Sequence, residues 1–211
     1  DPSIVGQSVP VSFTVAANPP GTGTPTGNVT VSGGTNSCTA SLSAGSCTLT
    51  FTTVGTKTLT ATYAGDNNFN GSSATDPHQV IYNFIGFQTP LATAGTFSDP
   101  TFSGTVNRGS VVPLKWQLTD FSGTIIGSLS SLTSLQAIPN SACAGPPSGT
   151  PVVLYSPTSG AAGNSTFRFG SSQFIFNWDT SSTVGSAAGC FTVVMQLNDG
   201  SAPKATTIKF Q

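Results

Sequence analysis

The stretch at residues 55–70 constrains the fold more than any other part of the sequence. Leu59, Ala61 and Tyr63 occupy every second position, and threonines fill the positions between them. A two-residue period is typical of a strand with one buried side and one solvent-facing side. The alternation stops at Gly65, and the Asp and Asn residues that follow are typical of a tight turn. The stretch therefore predicts a half-buried β-strand that ends in a turn.

The same alternation recurs along the chain and predicts an all-β protein. It marks further strands at residues 9–15, 29–31, 47–51, 112–118, 174–178 and 191–197. Short strands bounded by Gly, Pro or Asn are typical of a β-sandwich. The chain has 15 Pro and no Glu, a composition that favours strands over helices. Pro113 has no backbone N–H, so we expect its strand at the margin of a sheet.

The length of 211 residues allows two ordinary domains, each with its own core. Residues 72–79 are polar, contain a proline and lack alternation, so we place a linker there. We expect one sandwich at residues 1–77 and a second at residues 78–211.

The charge of the chain excludes several classes of partner. Charged residues make up 6% of the sequence and the net charge is -1, so no long-range field would attract nucleic acid or anionic lipid. No apolar run approaches the length of a membrane span. Nothing near Asp1 resembles a signal peptide, and we expect a mature form or fragment whose export signal has been removed.

Four cysteines suggest two disulfides. Cys38 and Cys47 flank a turn signal, so a hairpin would bring them opposite each other. Cys143 and Cys190 lie in the second half, each in a candidate strand. Free thiols or a metal site are the alternatives, although the chain lacks a Cys-x-x-Cys motif and has a single His. We predict two disulfides and therefore an extracellular or cell-surface location.

The sequence offers no catalytic set. The single histidine, His78, falls in the predicted linker, where no packed wall would fix its tautomer. The seven Asp residues lie mostly beside Gly, Pro or Asn, as turn residues do, and there is no Glu to pair with them. We predict that the protein is not an enzyme and uses no cofactor.

Residues 66–71 allow two interpretations. They place Asp, Asn, Asn and Gly at the first, third, fifth and sixth places of a calcium loop, but the twelfth place is Pro77. In a turn, Asp and Asn side chains bond to their own backbone instead. We favour the turn, and a weak calcium site is the alternative.

Sugar is a candidate modification and a candidate ligand. Asn28, Asn70 and Asn164 each begin a triplet for N-glycosylation. The aromatic residues Trp116, Trp178, Tyr82 and Tyr155 would stack on carbohydrate if they were exposed on one sheet face. The alternation favours core packing for the two tryptophans. It does not decide between core packing and exposure for the two tyrosines.

Two segments in the first third of the chain resemble the bacterial immunoglobulin-like (Ig-like) repeat, which occurs in tandem on large surface and secreted proteins. They are Thr-Pro-Thr-Gly-Asn-Val-Thr-Val at residues 24–31 and Leu-Thr-Ala-Thr-Tyr-Ala-Gly-Asp-Asn-Asn-Phe at residues 59–69. The resemblance implies a scaffold domain.

The second half resembles the PxKF-type module of bacterial surface proteins, which is named for a Pro-x-Lys-Phe motif. Here the motif reads Pro113-Leu-Lys115-Trp116, with Trp in place of Phe. The pattern continues at residues 176–179, 190–200 and 208–210.

Together the two resemblances imply two tandem Ig-like β-sandwich domains. We predict a non-enzymatic structural module of an extracellular assembly, either a stalk or a fibre subunit. The alternative is an adhesin or a carbohydrate-binding accessory module of a larger secreted protein. Expected partners are further copies or neighbouring Ig-like domains at sheet edges, with residues 1–15 or 208–211 as donated strands.

Overall fold

The structure is a computed structural model that describes residues 1–92, 94–184 and 188–211. It contains two compact units. Unit 1 comprises Asp1–Tyr82 with Asp120–Ser122, and unit 2 comprises Asn83–Thr119 with Gly123–Gln211. The chain is all-β, and the prediction of two tandem Ig-like β-sandwiches is confirmed.

Unit 1 is built from seven strands in two sheets. The strands are β1 Ser3–Ile4, β2 Ser8–Ser12, β3 Asn28–Gly33, β4 Asn36–Ser41, β5 Ser46–Thr50, β6 Gly55–Gly65 and β7 Asn70–Ile81. The larger sheet has the order β1-β7-β6-β3-β4, and β2 pairs with β5 in the smaller one. β1 lies parallel to β7, whereas the other neighbours are antiparallel.

The two sides of β3 and β6 differ as the alternation predicts. Val31 is fully buried, whereas its neighbour Thr30 is exposed. On β6, Leu59 and Tyr63 are buried on the same side of the sheet as Val31. The inner side packs the core, and the outer side carries mostly Thr and Ser, which are solvated without charge.

The predicted linker is wrong. Residues 72–79 lie inside β7, which pairs with β6 from Asn70 to Val80. The segment lacks alternation because both sides of β7 are exposed from Asn70 to Pro77. Backbone pairing therefore defines this strand, and burial does not.

The predicted hairpin between Cys38 and Cys47 is also wrong. Cys38 lies in β4, which pairs with β3, and Cys47 lies in β5, which pairs with β2. The chain crosses from one sheet to the other between the two cysteines, because β4 and β5 belong to different sheets.

The described residues of unit 2 form eleven strands in two sheets. The strands are β8 Asn83–Gln88, β9 Gly95–Thr96, β10 Thr101–Val106, β11 Val111–Thr119, β12 Leu132–Pro139, β13 Val152–Ser156, β14 Gly160–Ala161, β15 Thr166–Gly170, β16 Gln173–Asp179, β17 Gly189–Leu197 and β18 Lys204–Phe210. One sheet has the order β10-β18-β17-β12-β13-β14, with β9 also on β18, and the other has the order β15-β16-β11-β8.

Aromatic side chains fill the core of unit 2. Trp116 and Trp178 are fully buried, so the prediction of core packing for both is confirmed. The Trp116 ring stacks on Phe174 at 5.4 Å between centroids, and Trp178 meets Phe210 edge-on at 5.4 Å. These contacts add to the free energy gained by burying large apolar surfaces.

Pro113 does not place its strand at a margin, because β11 lies between β16 and β8. However, β8 pairs only with Lys115 to Thr119. Pro113 therefore pairs with Asn177 of β16 and has no strand on its other side, which a residue without an N–H tolerates.

Helical structure is minor in the described ranges. It comprises a 3₁₀ turn, η1 (Leu129–Ser131), and one helical turn, α1 (Thr180–Thr183). Across the residues that the structure describes, no helix has the length and apolar character needed to span a membrane.

Candidate functional site

His78 is packed and hydrogen-bonded, in contrast to the prediction from sequence. It lies on β7 with 8% of its surface exposed, and its ring packs near Phe51 at 5.6 Å between centroids. Nε2 is 2.8 Å from the Ser3 hydroxyl, and Nδ1 is 2.9 Å from a carboxylate oxygen of Asp1. The sequence gives no sign of this set, because residues 72–79 lack alternation and resemble a linker.

The contacts of His78 assign its neutral tautomer. The Asp1 carboxylate only accepts, so Nδ1–H donates to it and Nε2 accepts from the Ser3 hydroxyl. Burial and the positive charge at the N-terminus lower the pKa of His78. The carboxylate of Asp76 acts in the opposite direction and raises it. The ring is therefore held neutral.

The Asp1, His78 and Ser3 side chains have the order of a hydrolytic triad but lack its accessibility. A catalytic serine must be reached by substrate. Ser3 is only 4% exposed, and its hydroxyl lies against the buried ring of His78. The arrangement fits a structural role, in which three polar groups join β1 to β7.

Asp66 organises the turn between β6 and β7. One carboxylate oxygen accepts from the backbone amides of Asn68 and Phe69 at 2.8 and 2.9 Å. The other accepts from the Thr26 backbone amide and hydroxyl, both at 2.8 Å. These hydrogen bonds hold the pKa of Asp66 far below its usual range. The bond from the Asn68 backbone amide is the largest cause, followed by the bonds from Thr26. The bonds from Asn68 and Phe69 are those that the turn interpretation predicts, and the bonds from Thr26 are additional.

The calcium alternative conflicts with this bonding. All four hydrogen bonds to the Asp66 carboxylate come from N–H or O–H donors, and a cation would have to displace them. Within the described ranges, no three His, Cys, Asp or Glu side chains are grouped as metal ligands.

A cavity of about 580 Å³ opens beside the Asp66 turn. It is lined by residues 14–18, Pro25, Tyr63 and residues 68–72. Tyr63 donates its hydroxyl proton to the Thr26 carbonyl at 2.8 Å. Burial raises the pKa of Tyr63, and the charge of Asp66 acts in the same direction. The cavity thus carries no ionised side chain of its own.

The four cysteines form two disulfides, Cys38–Cys47 and Cys143–Cys190. The first joins the two sheets of unit 1. In the second, Cys190 lies in β17, whereas Cys143 lies in the loop after β12 and not in a strand as expected. The Asn140 amide donates to the Cys190 carbonyl at 2.8 Å and fixes that loop against β17.

Tyr82 and Tyr155, for which the sequence predicts neither burial nor exposure, are half-buried. Tyr155 meets Phe167 edge-on at 4.8 Å between centroids. Trp116 and Trp178 are fully buried and therefore cannot stack on carbohydrate.

Asn28, Asn70 and Asn164 are all exposed. N-glycosylation at these residues stays a prediction. An intact mass above that of the bare polypeptide, 21.2 kDa, would support it for this chain.

β7 has a free edge at residues 70–77. On one side the strand pairs with β6, and on the other β1 covers only Val80 and Ile81. The amide of Gln79 donates to Asp1 on the side away from β6, so the amides at alternate positions, including Thr75 and Ser73, point to the same side.

The strand donors expected from the sequence are already paired. Residues 208–210 belong to β18, which lies between β10 and β17, so the prediction that residues 208–211 are available is wrong. In the segment 1–15, β1 pairs with β7 and β2 pairs with β5.

No curated protein matches the chain. Among solved structures, the fibronectin(III)-like modules of Clostridium thermocellum CbhA are 14% identical, with 100% of this chain and 89% of that chain covered and a TM-score of 0.32. A chimeric titin Z1Z2 tandem is 15% identical, with 100% and 94% covered and a TM-score of 0.32. A pair of titin Ig tandem domains is 11% identical, with 99% and 91% covered and a TM-score of 0.31.

The family comparison agrees with the resemblance seen at residues 24–31 and 59–69. A match to a bacterial Ig-like domain supports a structural or adhesion-type module. Residues 1–81 of this chain match the family model described as Bacterial Ig-like domain (group 3).

Proposed function

We propose that the protein is a non-enzymatic structural module of an extracellular or cell-surface assembly, a stalk or a fibre subunit. The observation that carries this proposal is the free edge of β7, residues 70–77, which offers unpaired backbone groups to a neighbouring strand. An edge of this kind is a template for β-strand addition.

The chemistry of the free edge suits such a contact. Within residues 70–77 the only charged side chain is that of Asp76, and residues 71–75 are small or hydroxylated. An incoming strand would therefore desolvate few charges. Pro77 has no N–H, so pairing would end there and leave β1 in place.

The extracellular location is supported by the two disulfides, which persist in oxidising compartments. The assignment of residues 78–211 to a PxKF-type module is also a proposal. It is supported by the Pro113-Leu-Lys115 motif, which lies in β11 of the second sandwich.

Substitution at the free edge tests the fibre form. Thr75→Pro removes an outward amide without changing the pairing with β6, whereas Thr75→Val retains the amide. We expect concentration-dependent assembly of the parent chain and of Thr75→Val in sedimentation and electron microscopy, and a shift of Thr75→Pro to monomer.

Equal assembly of all three chains would refute the role of the β7 edge. A parent chain that stays monomeric at every concentration would exclude the fibre and leave the stalk. The stalk is tested by pulling single molecules, and a module that unfolds at negligible force would exclude it.

A further inference from the structure

We propose that the cavity beside the Asp66 turn binds a neutral carbohydrate. The cavity shares residues 70–72 with the free edge of β7, but the proposal does not depend on the structural role. We name it the amide cavity, because Asn18, Asn68 and Asn70 are among its polar lining residues, together with Thr14 and Ser72.

The three side-chain amides have no hydrogen-bond partner among the described residues. All three asparagines are exposed at the cavity, and no side-chain hydrogen bond engages them within the part of the chain that the structure describes. A carboxamide offers both a donor NH₂ and an acceptor oxygen. This pair matches neighbouring sugar hydroxyls, each of which donates and accepts.

Two aromatic residues also line the cavity. Phe69 is half-buried, whereas Tyr63 is buried. The Phe69 ring is packed against Gly23, where an added Cβ would be 3.3 Å from the ring. The partly exposed apolar surface of this ring can meet the C–H face of a pyranose.

The electrostatics select an uncharged ligand. No Lys, Arg, His, Asp or Glu lines the cavity, so an anionic sugar would find no counter-charge. The nearest carboxylate, Asp66, is saturated by four hydrogen bonds from the protein. The volume of about 580 Å³ falls within the range of small-molecule sites.

The turn is also prepared for binding. The Asp66 carboxylate fixes the backbone amides of Asn68 and Phe69, and it ties the turn to Thr26. A rigid turn loses little entropy when a ligand binds. The bonding at Asp66, which excludes a cation, therefore positions two of the ligand-facing side chains.

The test uses the full ¹⁵N-labelled chain, with an intact mass equal to that of the bare polypeptide because Asn70 begins a glycosylation triplet. The probes are cellohexaose, chitohexaose and maltohexaose, with an oligogalacturonate as the anionic comparator. We expect at least one neutral hexasaccharide to shift the side-chain amide resonances of Asn18, Asn68 and Asn70.

The matched variants are Asn68→Ala and Asn70→Ala, with Asn67→Ala as the control. Asn67 is exposed in the same turn but does not line the cavity, and Asn68→Ala retains the backbone amide that Asp66 accepts. Loss of one ligand hydrogen bond should weaken binding by about 2- to 10-fold in each test variant. Asn67→Ala should bind like the parent chain.

Three results would overturn the proposal. They are the absence of resonance shifts with all three neutral sugars, tighter binding of the oligogalacturonate, and equal weakening in Asn67→Ala. Each would leave the structural role untouched, because that role is measured by assembly and mechanical resistance.

Discussion

Asp66 accepts four hydrogen bonds, and all of them favour its ionised form. The pKa of the folded state is lowered from an ordinary value of 3.8, so the unfolded state binds the proton more readily. The stabilisation is complete above pH 3.8 and is lost as pH falls below that value toward the folded-state pKa.

We therefore expect the melting temperature of unit 1 to fall as pH drops from about 5 to about 2.5, and Asp66→Asn to show a weaker dependence. At neutral pH the variant should melt lower by on the order of 5 °C, because the amide NH₂ cannot accept. Thermal melts across the pH series give the measurement. Identical acid sensitivity of the parent chain and the variant would contradict the account.

His78 gives a second pH dependence, in a higher range. Burial lowers its pKa from an ordinary 6.5, so the unfolded chain takes up the proton first as pH falls. The contribution is present above pH 6.5 and is lost as pH falls through the interval down to the folded-state pKa. Facing the ring are Asp1, Ser3 and Phe51, with Asp76 beside it on β7 and Lys57 opposite it on β6.

His78→Gln removes the titrating ring and keeps a polar side chain. We expect the denaturant midpoint of the parent chain to decrease between pH 7 and pH 5.5, and the midpoint of His78→Gln to change less over that interval. An NMR titration of the ring supplies a direct check. A folded-state pKa above 6.5 would contradict this prediction.

The sequence predicted the role of Asp66 and missed that of His78, and the difference is physical. The Asp66 bonds to Asn68 and Phe69 are local, so residue order alone indicates the turn. The partners of His78, Asp1 and Ser3, are more than 70 positions away and become neighbours only when β1 pairs with β7. Residue order carries no signal for that contact.

At the level of elements, the two sides of β3 should respond differently to mutation. Val31 is fully buried and Thr30, next to it, is exposed. We expect Val31→Ala to lower the free energy of unfolding by about 2 kcal/mol, and Thr30→Ala to change it by less than about 0.5 kcal/mol. Denaturant unfolding of both variants measures the difference, and equal losses would contradict the assigned facing of the strand.

The strands that the sequence predicts are those with a buried side. β6, β11 and β17 alternate or are richly apolar, so burial leaves a pattern in their sequences. β7 is exposed on both sides over most of its length, so its sequence resembles a linker even though β6 holds it in a sheet. Backbone pairing without burial leaves no periodicity to detect.

The amide cavity was unpredictable for a related reason. The turn at residues 66–71 is visible in the sequence, but the cavity is also lined by the irregular segment 14–18 after β2. No local pattern relates these two segments. The sequence therefore indicates the chemistry of the turn and gives no sign that residues 14–18 lie beside it.

At the scale of the whole molecule, the two disulfides should limit how far the chain extends under force. Cys143 and Cys190 are 47 positions apart, and Cys38 and Cys47 are 9 apart. At about 3.4 Å per residue, reduction should add about 160 Å of contour length from unit 2 and about 30 Å from unit 1.

Single-molecule extension with and without a thiol reductant measures this gain. A Cys143→Ala and Cys190→Ala double variant is the matched control, and it should gain only the shorter increment on reduction. A full gain in that variant, or no gain in the parent chain, would contradict the pairing. The sequence indicates the pairing through the turn signal between Cys38 and Cys47, but it does not indicate that these two cysteines lie in different sheets.

The Cys38–Cys47 link has a consequence for proteolysis. Ser43 and Ala44 are exposed between the two cysteines. A protease that cuts there separates the chain into two polypeptides that the sulfur bond keeps as one molecule. A nicked sample would therefore migrate as a single band in a non-reducing gel and divide into two bands only after the thiols are freed.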